Sequence, residues 1–126
     1  MNHQRGFSLL EALISMLVLA VGLLGASNLQ SRSYLSTRDA QFRTIASIAA
    51  DTMAERIVLR GVVSAADRDE ILLKLQGLIP NPALDTTQIP DTAIGIEQFA
   101  VDVSWTGMDE GTDTIRYIVS VPPSAP

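Results

Sequence analysis

Apolar residues are concentrated in one stretch near the start of the chain. Residues 12–31 contain no Asp, Glu, Lys or Arg. Twenty residues of α-helix rise about 30 Å, which is the thickness of the hydrocarbon core of a bilayer. A cleaved secretory signal would be shorter and would end in a small-x-small site, which Leu24-Gly25-Ala26 does not provide. The stretch therefore predicts a retained membrane-spanning helix.

The helical pattern continues beyond this stretch. Residues 31–60 contain neither Pro nor Gly, and Gly61 is a suitable C-terminal stop. One helix from Phe7 to about Arg60 would be about 80 Å long, which is too long for the buried core of a small domain. We therefore expect a spine with its first half in the membrane and its second half carrying a head. The apolar residues at helical spacing beyond residue 31 are Leu35, Phe42, Ile45, Ala49, Met53 and Ile57.

A second, short helix is predicted at residues 65–76. Ser64 and Asp67 have the spacing of a capping box at its start, and Gly77 and Pro80 follow as terminating residues. The apolar positions share one face, which indicates a helix that packs on the core. These positions are Ile71, Leu72, Leu75, Leu78 and Ile79.

The last third of the chain changes to a β pattern. Residues 80–93 are rich in Pro, Asn, Asp and Thr and predict a loop. Two strands with alternating apolar residues follow, joined by a hairpin loop at 106–113. Two strands alone are marginal, so the sheet needs a helix to pack on. The predicted fold class is therefore α+β, a long N-terminal helical spine packed on a small antiparallel β-sheet with one additional short helix. The alternating residues are Phe99, Val101, Val103 and Trp105, then Ile115, Tyr117, Val119 and Val121.

Candidate catalytic side chains are few. The chain has no Cys, and its one His is His3, so zinc and Ser-His-Asp hydrolases are excluded unless His3 takes part. We predict no enzyme activity, with no catalytic residue, metal, cofactor or small-molecule substrate. Residues 109–113 offer carboxylates to calcium, but they lack EF-hand spacing, and a solvated turn is favoured. Phe99, Trp105 and Tyr117 are assigned to the core in preference to an exposed binding patch.

One carboxylate lies inside the otherwise apolar N-terminal region. Residues 5–11 read Arg-Gly-Phe-Ser-Leu-Leu-Glu, and an ionisable residue in a membrane segment is costly and marks a function. This segment resembles the class III signal of type IV pilins and pseudopilins. The resemblance implies that a prepilin peptidase cuts after Gly6 and methylates the new N-terminal residue, Phe7. It also matches Glu11 to the family's glutamate, five positions into the mature chain, which makes Glu11 the candidate assembly residue.

The continuation of the apolar segment limits the resemblance to one group within the pilin family. Residues 20–30, together with residues 8–13, look like the PilV-type minor pilins, the type IV pilus modification proteins. The resemblance implies a structural subunit that helps to initiate pilus assembly, with a position at the pilus tip left open. The implied partners are the prepilin peptidase, other minor pilins, the major pilin and the inner membrane.

The same resemblance divides the chain into three parts. Residues 1–6 would be the leader, 7–31 the transmembrane and filament-core helix, and 32–126 a periplasmic head that includes the second half of the spine. Arg5 before the apolar stretch predicts a cytoplasmic N-terminus, and assembly would carry the subunit from the inner membrane into the pilus. Two alternatives stay open. A minor pseudopilin of a type II secretion system shares the leader, the glutamate and the spine, whereas a single-pass membrane-anchored binding module would keep an intact N-terminus.

Charge is distributed unevenly outside the apolar segment. Residues 32–60 carry five Arg against three acidic residues, and residues 61–126 carry three basic residues against ten acidic ones. A head that binds nucleic acid would need a basic patch, so the acidic head argues against a nucleic-acid partner. The arginines of residues 32–60 are expected to face lipid headgroups or acidic neighbours in a filament.

Overall fold

The computed structural model describes residues 9–90 and 96–121, and its elements confirm the predicted α+β class. The chain divides into two compact units, Met1–Thr37 and Arg38–Pro126, whose boundary falls within the first helix. The elements in chain order are α1 (Leu9–Arg60), α2 (Ala65–Leu75), β1 (Ala83–Ile89), β2 (Glu97–Thr106) and β3 (Thr112–Val121).

The second unit buries one face of α1. Four of the six residues predicted at helical spacing are buried and Ile45 is partly buried, whereas Leu35 belongs to the first unit and is 47% exposed. Ala46 and Ala50 are also fully buried, and their small side chains bring the helix backbone close to the core. The buried residues of α1 are Phe42, Ala46, Ala49, Ala50, Met53 and Ile57.

The ends of the two helices are formed differently. Gly61 has φ +70°, and its N–H donates to the carbonyl of Ile57 at 2.8 Å, so the predicted glycine stop of α1 is confirmed. At the start of α2, Ser64 occupies the N-cap position, but its side chain makes no capping hydrogen bond. The predicted capping box is therefore wrong, because arginines of α1 bind the Asp67 carboxylate.

The predicted packing face of α2 is confirmed in part. Ile71, Leu75 and Ile79 are buried, and Leu72 packs against them from a partly buried position. Leu78 is 55% exposed, because the chain has left the helix at Leu75 and no longer follows its periodicity.

The sheet is antiparallel, with the order β1-β2-β3. The prediction of a loop over residues 80–93 is wrong for β1, which pairs along β2 with Leu84 opposite Val103. Leu84 is the one buried residue of β1, so this edge strand has almost no apolar alternation to reveal it. Pro82 and Pro90 stand just outside its ends, where the missing N–H costs no ladder bond.

The β2–β3 hairpin is confirmed. Its last pair is Thr106 with Thr112, which leaves residues 107–111 as the connecting loop. Phe99, Val101, Val103 and Trp105 are all buried on the face of β2 that packs in the core. Trp105 is 1% exposed, which supports the core assignment over the exposed aromatic patch.

Candidate functional site: the apolar helix and its carboxylate

The described part of the first unit, residues 9–37, is one helical segment whose side chains are all exposed. From Leu9 to Leu29 the large apolar side chains are 55% to 80% exposed. An 18-residue window of α1 has a mean hydropathy of 2.3, and none of its residues is buried. By length and composition the helix is therefore able to cross a membrane. Apolar surface on this scale requires a covering environment, either lipid or other apolar helices.

Glu11 lies in the first turn of α1, between these apolar residues. Its backbone carbonyl accepts a hydrogen bond from the Ser15 hydroxyl at 2.8 Å. Within residues 9–90 and 96–121 its carboxylate forms no ion pair. A carboxylate near a helix N-terminus is favoured by the helix dipole, so the start of α1 stabilises the charge of Glu11. The predicted processing residues, Gly6 and Phe7, lie outside the described residues.

Three of the arginines that were expected to face lipid headgroups or acidic neighbours, Arg43, Arg56 and Arg60, form ion pairs within the chain. Arg56 Nη1 lies 2.8 Å from Asp67 Oδ1 and 2.9 Å from Glu70 Oε2, and Arg60 also contacts the buried Asp67 carboxylate. The guanidinium of Arg56, followed by the ammonium of Lys74, lowers the pKa of Glu70 from 4.5 to about 2. This cluster fastens α2 to α1 across the connection of residues 61–64, and the periodicity within either helix does not reveal it.

A second pairing joins α1 to the hairpin. Arg43 lies 3.0 Å from Asp39 Oδ2 and 3.5 Å from Asp113 Oδ1. Within the acidic loop of residues 109–113, Asp109 Oδ1 accepts a hydrogen bond from the N–H of Gly111 at 3.2 Å. In the described parts of the chain, no group of three or more His, Cys, Asp or Glu is placed to hold a metal ion.

A family comparison matches the N-terminal region. Residues 1–27 match the family model described as the prokaryotic N-terminal methylation motif. The match supports a type IV pilin-family protein. It indicates a structural subunit that a prepilin peptidase processes and that assembles with other pilins. No curated protein and no solved structure matches the chain significantly.

The matched region overlaps the first part of the apolar helix. The motif contains Glu11 and most of the uncharged stretch, and it ends before the second unit begins at Arg38. Motif and helix together are consistent with a membrane-anchored pilin. The match is confined to the first 27 residues, and the sheet and α2 lie outside it.

Proposed function

We propose that this protein is a PilV-type minor pilin, a structural subunit that helps to initiate assembly of a type IV pilus. The methylation motif over residues 1–27, combined with an exposed apolar helix, is the observation that carries the proposal. In the inner membrane, residues 7–31 serve as the anchor and the head of residues 32–126 lies in the periplasm. In the pilus, the helices of neighbouring subunits cover the apolar surface in place of lipid.

Processing is the first step to test. The leader of residues 1–6 is removed by cleavage between Gly6 and Phe7, and the amine of Phe7 is then methylated. Mass spectrometry of the mature N-terminus should find a chain that begins at methylated Phe7. Gly6→Val should leave the leader attached, whereas Gly22→Val adds the same bulk within the apolar helix and should be cleaved normally. A mature chain that begins at Met1 would favour the single-pass binding module.

Glu11 acts in assembly. The amine at Phe7 has an ordinary pKa of about 8, so it is largely cationic at neutral pH and requires an anionic partner inside a bundle of helices. Glu11 supplies that charge to its own amine or to the amine of an adjacent subunit, and the second pairing sets the stagger between subunits.

The test of this role removes one charge. Glu11→Gln should leave cleavage and membrane insertion intact but reduce crosslinking to partner pilins and incorporation into pili. Glu55→Gln removes the same charge from an exposed position later in α1 and serves as the control. Assembly of the Glu11 variant at the wild-type level would refute the charge-pairing role while leaving the processing result standing.

The competing assembly is a type II secretion system. Its minor pseudopilins share the leader, the glutamate and the spine, so the crosslinked partners must decide between the two machines. Crosslinks to major and minor pilins of the pilus support the proposal. Crosslinks confined to pseudopilins would assign the subunit to the secretion system.

A further inference from the structure

The sheet has two outer strands, β1 and β3, and their edges differ in how they are protected. β1 lies between Pro82 and Pro90, and α2 packs beside it. The backbone N–H of Thr86 donates to the Asp85 carboxylate at 2.8 Å, so this N–H is not offered to another strand. Prolines, capping side chains and a covering helix all hinder pairing at the edge of a sheet. The β1 edge is therefore protected.

The β3 edge shows none of these devices in the described chain. β3 pairs with β2 in one register along its whole length, without a bulge, and it contains no Pro, Gly or Lys. Arg116 binds Asp102 through two hydrogen bonds of 2.7 and 2.8 Å, and Asp113 lies 3.5 Å from Arg43. The strand therefore presents a regular edge whose charged side chains are already paired within the chain.

The hairpin loop shows which backbone groups of β3 point away from β2. The N–H of Gly107 donates to the carbonyl of Gly111 at 2.7 Å, and hydrogen-bonded pairs alternate with non-bonded pairs in an antiparallel ladder. The odd-numbered residues from 113 to 121 therefore bond to β2. The intervening residues direct their N–H and C=O groups outward, and within the described residues these groups form no hydrogen bond. The outward residues are Thr112, Thr114, Arg116, Ile118 and Ser120.

The apolar core is less well covered at this edge than at the centre of the sheet. Val101 and Val103 of β2 are fully buried, whereas Tyr117 and Ile115, which lie opposite them on β3, are only partly buried. The Tyr117 hydroxyl lies 3.0 Å from the Ser47 hydroxyl, so α1 holds this part of β3 in place. A strand added beside β3 would cover Ile115 and Tyr117 with its own apolar side chains.

We infer that the β3 edge binds an extended strand of another pilin subunit, which continues the sheet beyond β3. The inference rests on the proposed function for the class of partner. A row of free N–H and C=O groups is complementary to an extended polypeptide backbone. The paired charges of β3 leave no cationic surface for a nucleic acid or a lipid headgroup. The bound strand directs apolar side chains toward Ile115 and Tyr117 and polar side chains to the other face.

The first test uses the full-length chain, isotopically labelled, in detergent micelles. The probe is a synthetic peptide with the sequence of residues 112–121, because this sequence has the required alternation of apolar and polar side chains. The peptide should shift the amide resonances of Thr114 and Ile118 in a saturable way and slow their hydrogen exchange. The resonance of Gln88, on the β1 edge, should not change. Absence of a saturable shift at β3 would overturn the inference.

Two substitutions at Ile118 separate the backbone from the side chain. Ile118→Pro removes an outward N–H without removing a bond to β2, and it should weaken peptide binding about tenfold, as expected when a bound carbonyl loses its donor. Ile118→Ala keeps the N–H and should bind more tightly than the Pro variant. Gln88→Pro is the matched control at an outward position of β1 and should bind like wild type. Equal weakening by Ile118→Ala and Ile118→Pro would overturn backbone pairing in favour of an apolar contact.

Modified peptides provide a test that needs no change in the protein. One peptide is N-methylated at its even-numbered residues and the other at its odd-numbered residues. A paired strand turns only one of these two sets of N–H groups toward β3. One peptide should therefore lose binding and the other should keep it. Equal binding by both peptides would overturn the inference.

The partner is identified in cells that assemble the pilus. A photoreactive benzoylphenylalanine at Thr114 should crosslink to another pilin subunit, and Ile118→Pro in the same chain should abolish this product. The same group at Gln88 should give no such product. Crosslinks only to a second copy of this chain would overturn the inference in favour of self-pairing.

The peptide experiment is independent of the pilin assignment, because it does not require cleavage. Peptide binding by a chain without a methylated Phe7 would retain the strand-binding edge and refute the pilin partner. A methylated Phe7 without peptide binding would retain the pilin and overturn the edge site.

Discussion

The two parts of α1 on either side of Arg38 place their apolar side chains in opposite settings. From Leu9 to Thr37 no side chain is buried, and from Arg38 onward six are. The first part is apolar around most of its circumference, and the second part has an apolar stripe with charged residues beside it. A helix apolar all round requires lipid or other helices, whereas a striped helix can pack on its own chain. One continuous helix therefore requires two different environments: lipid or other helices around its first part, and the core of its own chain against its second part.

The charged residues show the same division. The first part carries Glu11 among exposed apolar side chains, and no other residue of the described chain forms an ion pair with it. In the second part, Arg43, Arg56 and Arg60 form ion pairs within the chain. Part of the charge of the second unit is thus paired within the chain, whereas the Glu11 carboxylate forms no ion pair in the described residues.

The largest loss of stability is expected from the centre of the head. Trp105 is the largest fully buried side chain, so Trp105→Ala should reduce the free energy of unfolding by about 3–5 kcal/mol. For a unit of this size the melting temperature should fall by about 12 °C or more. Circular dichroism of the full chain in detergent measures this change. Ile118→Ala, at a position 61% exposed on the same sheet, should change the free energy by less than about 0.5 kcal/mol.

Two methionines of α1 test the comparison directly. Met53 is 1% exposed, whereas Met16 is 69% exposed. Met53→Ala should reduce the unfolding free energy of the head by about 3 kcal/mol, because it leaves a cavity. Met16→Ala should leave the unfolding curve of the head unchanged. Denaturant titration followed by Trp105 fluorescence measures both variants, and equal effects would show that the two parts of the helix share one cooperative core.

The clamp between α1 and α2 should have a smaller effect. Asp67→Asn keeps the shape of a buried side chain but removes the charge that Arg56 and Arg60 bind, at a cost of about 2 kcal/mol. The same denaturant titration measures the change. Asp69→Asn is the control, because Asp69 is largely exposed and lies 3.5 Å from Arg68. A neutral result for Asp67 would show that apolar packing alone holds α2 in place.

The smallest effect is the response to acid. Arg56 and Lys74 depress the pKa of Glu70 from 4.5 to about 2, so the folded head keeps this carboxylate ionised at a pH where the unfolded chain protonates it. The contribution of Glu70 to the free energy of unfolding is complete above pH 4.5 and is lost as the pH falls toward 2. Asp102, whose pKa is lowered by a hydrogen bond from Arg116, adds a loss of the same sign at low pH.

The acid response can be assigned to one residue. Glu70→Gln should flatten the fall of the unfolding midpoint below pH 4.5 while leaving the part that belongs to Asp102. Unfolding midpoints measured from pH 6 to pH 2 give the two slopes. Identical slopes for the variant and the wild-type protein would show that protonation of Glu70 does not contribute to acid unfolding.

Local sequence patterns predict most of the helices and strands, but they do not predict which side chains pair between them. The period of α1, the glycine at its end and the alternation of β2 and β3 each involve near neighbours in the sequence. The sequence pattern does not reveal β1, because an edge strand with one buried residue has little alternation. The spacing of Ser64 and Asp67 predicts a capping box that does not form, since this spacing does not reveal the arginine eleven residues before Asp67 that binds its carboxylate.

The sequence by itself determined the apolar segment, the methylation motif with Glu11, and the order of helices and strands apart from β1. These features depend on composition, spacing and local backbone preference, which are readable without any fold. The tertiary structure decided that Ala46 and Ala50 are buried while Leu35 and Leu78 are exposed. It also decided the partners of Arg43, Arg56 and Arg60. These depend on contacts between different helices and strands, which the local sequence pattern does not specify and which form only when the chain has folded.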